Sequence, residues 1–257
     1  MQCSRDIVIR GRTIGGRAAP LICTPLTGRT RAQVLEEMRR VMLVRPDLIE
    51  WRVDHYGGIA DQADVLEMCG LLASAAQDVP LMFTVRSARE GGQPDALPDD
   101  EVAGLCAAAC GTGSIGLVDR ECDAPRAGLD RVRAAARASG TLLIVSHHDT
   151  RETPGDAALY GKFLEAGGLG GDIVKIAVTA KSPDDALTLL RATCRAAQAL
   201  DQPLISMAMG TLGVLTRIVG WQFGSSVTFA AGQEGSAPGQ LPVEDLRKLL
   251  SLIRRHQ

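Results

Sequence analysis

Aromatic side chains are scarce in this chain: Phe, Trp and Tyr together make up 3% of its 257 residues. A core without them must be filled by Ala, Leu, Val and Ile, as in layered aliphatic barrels and doubly wound sheets. Charge of one sign is equally lacking, since the formal net charge is -2, and no basic run with interleaved aromatics offers a surface for nucleic acid. There is no stretch of about eighteen apolar residues to cross a bilayer. The first residues, which include Arg5, Asp6 and Arg10, have no apolar core of signal-peptide length. These absences predict a soluble, cytoplasmic protein with neither a nucleic-acid nor a membrane partner. A CxxC pair is also missing, and the 7 cysteines are scattered and odd in number, which reads as reduced thiols. Cys106 and Cys110 have the spacing to share a helix face, but without a neighbouring histidine they read as small core fillers.

What the chain has instead is rhythm. Apolar, strand-like runs lie at 21–25, 48–54, 81–86, 115–121, 142–148, 172–178, 204–209 and 227–230. Helix-like segments separate and follow them at 30–43, 59–76, 98–110, 125–138, 156–167, 182–200, 212–221 and 243–255. Several helix starts carry their own signals. Thr30 with Gln33 forms a capping box, Ser182 precedes Pro183, Asp184 and Asp185, and Pro98 and Pro242 precede acidic first turns. Alternation from Asp6 to Arg10, then Gly11 to Gly15, predicts a hairpin within residues 1–20. The expected fold is α/β, a (β/α)8 barrel forming one domain over 1–257, with a doubly wound sheet as the alternative because periodicity alone does not show closure.

Within that frame, several charges stand where charges are costly. Lys175 interrupts Ile173, Val174, Ile176, Ala177 and Val178, a run suited to a strand covered on both faces. An ammonium there must be paired, reach solvent along its stem, or lose its proton, and a neutral amine is a nucleophile. Glu50, Arg52 and Asp54 alternate along the second run, which puts them on one face; helices cover the outside of a barrel, so that face points inward. Thr84 and Arg86 repeat the pattern. So do Asp119 and Glu121, which read as partners of a neighbouring strand's arginine more readily than as a metal-ligand set.

His147 and His148 are adjacent, so in a strand they face opposite ways and cannot share a metal ion; one of them faces the lumen and can move protons near neutral pH. The last third is rich in glycine around 206–213 and 225–240, with Arg217 between. Such loops either cradle a phosphate or make tight turns, while Arg217 can hold an oxyanion. Ser236 and Gln240 lie on a loop suited to covering a polar substrate.

From about residue 21 onward the chain resembles the type I 3-dehydroquinate dehydratase family. The resemblance rests on several motifs in the family's order: Glu50-Trp51-Arg52-Val53-Asp54, Phe83 through Gly92, Ser146-His147-His148-Asp149 with Thr153-Pro154, Asp172 through Ala177, Ser206 through Gly210, and Ser236 through Gln240. It implies a (β/α)8 TIM barrel whose N-terminal hairpin closes the bottom, a homodimer, and dehydration of the small molecule 3-dehydroquinate through a Schiff base without metal or other cofactor. By the same resemblance the imine lysine falls on Lys175, the acid/base histidine on His148 and its carboxylate partner on Glu90. Substrate contacts fall on Glu50, Arg52 and Arg86, the carboxylate clamp on Arg217, and the closing loop on Ser236 and Gln240. His147 stands where many members have an aromatic residue.

Two other readings compete. A class I aldolase barrel shares the buried imine lysine but usually handles phosphorylated sugars. A catalytically silent barrel sensing a hydroxy-carboxylate has no need of both Lys175 and His148.

Overall fold

Eight parallel strands build the centre of the computed structural model, in which residues 5–15, 19–94, 97–232 and 239–256 are described. The chain opens with an antiparallel hairpin, β1 (Ile7–Ile9) and β2 (Arg12–Ile14). It then alternates: β3 (Leu21–Leu26), α1 (Arg31–Leu43), β4 (Leu48–Arg52), α2 (Gln62–Ala76), β5 (Leu81–Thr84), α3 (Asp99–Gly111), β6 (Leu117–Glu121) and α4 (Arg126–Ser139). The second half continues with β7 (Leu142–His148), α5 (Asp156–Gly168), β8 (Ile173–Thr179), α6 (Pro183–Ala199), β9 (Leu204–Met209), α7 (Val214–Val219), β10 (Val227–Phe229) and α8 (Val243–Arg254). The sheet runs in chain order from β3 to β9, with β10 beside β3. A parallel bridge between Leu204 and Ser225, with Ser226 N donating to Leu204 O at 2.7 Å and Leu21 N to Ser226 O at 3.0 Å, joins its two edges. The result is a (β/α)8 barrel.

The capping signals act as their chemistry requires. Thr30 and Ser182 each form a reciprocal capping box, satisfying backbone donors that α1 and α6 would otherwise leave open. Alternation along the strands then sorts two cores. Odd positions of β8, among them Ile173 and Ala177, face the lumen with Leu48, Met82, Leu117, Ile144 and Ile205. Val174, Ile176 and Val178 face the helix layer. Cys106 and Cys110 are buried in that outer layer as expected. The few aromatics are concentrated there too, with Trp51 edge-on to Phe83 and Tyr56 at centroid distances of 5.8 and 5.7 Å.

The hairpin closes the N-terminal end of the barrel. Its Ile14 is fully buried among the lumen residues, with Ile7 and Ile9 packed against them. Burying such a side chain contributes about 1.5–3 kcal/mol, and it removes water from one end of the lumen. Polar chemistry is thereby confined to the other end, where the strands terminate.

Candidate active site

Lys175 is only 3% exposed, and its solution to burial is pairing. Nζ donates to Asp119 Oδ2 at 3.0 Å and to Glu50 Oε1 at 3.4 Å, and it stands 4.8 Å from the centroid of the Phe229 ring. These partners come from β6, β4 and β10, so the strand ends converge on one atom. Register makes this possible: Lys175 is level with Ser146 on β7, and Asp119 with Thr84 on β5. Thr84 Oγ1 in turn donates to Glu50 Oε1 at 2.9 Å. Burial alone would push the Asp119 carboxyl up, but the charges of Arg86 and Lys175 and hydrogen bonds from Ser146 and Lys175 hold it at about 2.

Arg86 is the hub for the carboxylates. Its Nη2 donates to Asp119 at 2.8 Å, while Nη1 meets Ser146 Oγ at 2.9 Å, Glu121 at 3.2 Å and Glu90 at 3.5 Å. The expected pairing of Asp119 and Glu121 with an arginine is therefore present. Asp54 departs from its expected place: β4 ends at Arg52, and Asp54 lies in the 3-10 turn Val53–His55 rather than on the strand face. From there it grips Arg52 through two bonds of 2.8 Å and accepts from Arg86 N at 3.2 Å.

His148, not His147, lines the cavity. Its Nδ1 is 2.9 Å from Glu90 Oε2, an oxygen that also accepts from its backbone N at 2.9 Å, so Nε2 is the nitrogen left for a ligand. Burial, reinforced by the charges of Arg86, Lys175 and Arg52, holds this imidazole well below its usual range, hence neutral near pH 7. Glu90 gets its position from a turn that only glycine permits. Gly92 N donates to Ser87 O at 2.8 Å, and a Cβ on Gly92 would fall 1.9 Å from Arg86 O. His147 turns outward, to Asp123 Oδ2 at 3.0 Å. Cys122, Asp123 and His147 lie close together, and the cation beside them is the Lys162 ammonium, 3.2 Å from Asp123.

Arg217 differs from every other cation around the cavity. It is 2% exposed, its Nη1 donates to Phe229 O at a long 3.4 Å, and Nε has no hydrogen bond. Among the described residues no carboxylate pairs with it. Burial lowers its pKa to about 10, which leaves it charged at neutral pH. The short α7 that carries it is tied down by Thr216 Oγ1, which accepts from Ala208 N at 2.9 Å, and by Thr228 Oγ1, which donates to Arg217 O at 2.9 Å. A Cβ on Gly213 would meet Ala208 O at 2.3 Å, so this glycine serves close packing.

Glu50, Arg52, Arg86, Glu90, His148, Lys175, Arg217 and Gln240 all line one cavity. Ser236 lies outside the described residues. The sequence reading missed Asp119 as a partner of Lys175, and it missed Phe229 and Met207 in the wall. Inward alternation marked Asp119, but only the barrel's closure reveals which strand it faces.

Comparisons with known proteins identify the family of the chain. The family model of type I 3-dehydroquinase matches residues 22–257. The chain is 46% identical over 255 residues to the 3-dehydroquinate dehydratase of Albidiferax ferrireducens, covering 99% of this chain and 97% of that protein. The solved structure of 3-dehydroquinate dehydratase from Geobacillus kaustophilus superposes with a TM-score of 0.96 at 43% identity, covering 99% of this chain and 98% of that one. The type I enzyme from Clostridium difficile, solved with covalently modified comenic acid, gives 0.94 at 32% identity, covering 99% of this chain and 100% of that one.

Proposed function

The chain belongs to the type I 3-dehydroquinase family, and from that premise we propose that it dehydrates 3-dehydroquinate through a Schiff base on Lys175, with His148 as general acid/base. The activity is that of a hydro-lyase, giving 3-dehydroshikimate and water. One observation carries the mechanism: a buried lysine and a carboxylate-anchored histidine face the same cavity.

Lys175 attacks the C3 ketone once its proton has passed to a base, and loss of water leaves a protonated imine. That imine is an electron sink. His148 Nε2 removes a C2 proton, the C–H electrons move into the ring to form an enamine, and the enamine expels the C1 hydroxyl. His148 returns the same proton to the leaving oxygen, so the histidine ends as it began. Hydrolysis of the imine frees the product and the lysine. Glu90 holds Nδ1–H and so fixes the tautomer that presents Nε2, then stabilises the imidazolium that forms between the two transfers.

Charge accounting supports the roles of the remaining residues. Arg52 is neutralised by Asp54, and Arg86 and Lys175 by Glu50, Glu90, Asp119 and Glu121, whereas among the described residues no carboxylate faces Arg217. An unpaired buried guanidinium is costly, and a substrate carboxylate relieves that cost while fixing the ring's orientation. Glu50 and Arg52 are within the same wall to receive hydroxyls, and Gln240 lines it from the closing loop. Arg86, with its donors directed at carboxylates and Ser146, holds the acidic side chains in register. The test is turnover: 3-dehydroquinate should yield the conjugated enone of 3-dehydroshikimate without added metal or nucleotide, and a phosphorylated sugar should not be cleaved. The family resemblance also supports a cytoplasmic homodimer serving the shikimate pathway to aromatic amino acids, which sedimentation equilibrium tests for assembly.

A further inference from the structure

The Glu90 carboxylate is satisfied on one side only. Oε2 meets His148 twice and Arg86 once, whereas Oε1 is buried without a hydrogen bond. The side chain beside Oε1 is His147, whose Nδ1 lies 3.6 Å away, within ion-pair range though too far for a hydrogen bond. The same Nδ1 is 3.0 Å from Asp123 Oδ2.

The charges around this pair come from each neighbouring element. His147 faces Glu90 in the turn after β5, Asp123 and Cys122 after β6, and Lys162 on α5, whose ammonium is shared between Asp123 and Glu165. Glu90 faces Arg86, Glu121, His147 and His148. Burial pushes the Glu90 carboxyl up, and His147 and Arg86 counter this without cancelling it. His147, held above the ordinary imidazole value by the adjacent Glu90, carries charge where Glu90 needs it.

We propose that His147 is a positioning residue for this reaction: as an imidazolium between Glu90 and Asp123 it keeps the buried Glu90 carboxylate ionised, and so keeps His148 in the tautomer that turns Nε2 to the substrate. The inference rests on the preceding reading of His148 as acid/base and Glu90 as its partner. A protonated Glu90 holds the Nδ1–H weakly and offers no charge to an imidazolium on the other side. The sign follows. Removing the His147 charge raises the pKa of Glu90 further, so activity falls off at a higher pH on the acid side. On the alkaline side His147 loses its own charge, but there Glu90 is far above its pKa and stays ionised.

The experiment is the kcat profile for 3-dehydroquinate between about pH 5 and about pH 9, a range that brackets an imidazole titration. In His147→Phe the acid limb should move up by on the order of one pH unit, so the ratio of wild-type to variant kcat grows about tenfold as the pH falls. His147→Gln keeps a polar side chain at this partly exposed position and carries no charge, so it must give the same shift. A ratio constant across the range, or a uniform loss accompanied by a lower Tm, overturns the proposal. Glu90→Gln separates the two readings: wild-type turnover in that variant would sink the His148–Glu90 partnership itself, whatever His147 does.

Discussion

Lys175 Nζ and Asp119 Oδ2 stand 3.0 Å apart inside the barrel, contributed by β8 and β6 with β7 between them. Asp119 also takes Arg86 at 2.8 Å, so one fully enclosed carboxylate answers two cations. Removing one member of a buried ion pair strands the other, at about 3–5 kcal/mol. Asp119→Ala should lose that much stability in urea denaturation. The pH dependence has a definite sign. The Asp119 pKa is lowered to about 2, so its contribution is complete above the ordinary aspartate value and lost as pH falls through about 2. The stability gap between wild type and variant should therefore narrow in that acid window, and a gap that does not narrow contradicts the pairing.

His148→Ala should leave imine formation detectable while proton transfer stalls, with kcat down on the order of a hundredfold to ten-thousandfold. His147→Ala should cost far less at neutral pH. If the His147 variant proved the inactive one, the assignment of which histidine faces the substrate would be wrong.

Arg217→Lys keeps a cation at the end of the cavity and loses the planar fork that grips both oxygens of a carboxylate. KM for 3-dehydroquinate should rise much more than kcat falls, the signature of binding made equally in ground and transition states. Unchanged KM with unchanged Tm would remove Arg217 from the site.

Much of this architecture was legible in the sequence, because strand and helix periods are local properties. Alternation showed that His147 and His148 face opposite ways but left open which of them faces the lumen; the register of β7 against β8, with Ser146 level with Lys175 and His148 with Ala177, puts Ser146 and His148 on the inner side. Asp54 was misread for a local reason: the chain leaves the strand at Arg52 and enters a 3-10 turn, so alternation no longer applies. The 212–221 segment was expected as one helix but divides into two 3-10 turns flanking the six-residue α7, which places Arg217 against Phe229. The contact between Asp119 and Lys175 depends on closure across a whole strand, which no spacing along the chain encodes.

Borohydride reduction in the presence of 3-dehydroquinate, followed by peptide mass spectrometry, tests the central claim most directly. Reduction converts an imine to a stable secondary amine, so the wild-type protein should carry one substrate-derived adduct, on the peptide containing Lys175. Lys175→Ala should carry none and should lose essentially all turnover. An adduct on Lys162 or Lys181, or a Lys175→Ala variant that still turns over, would contradict the account.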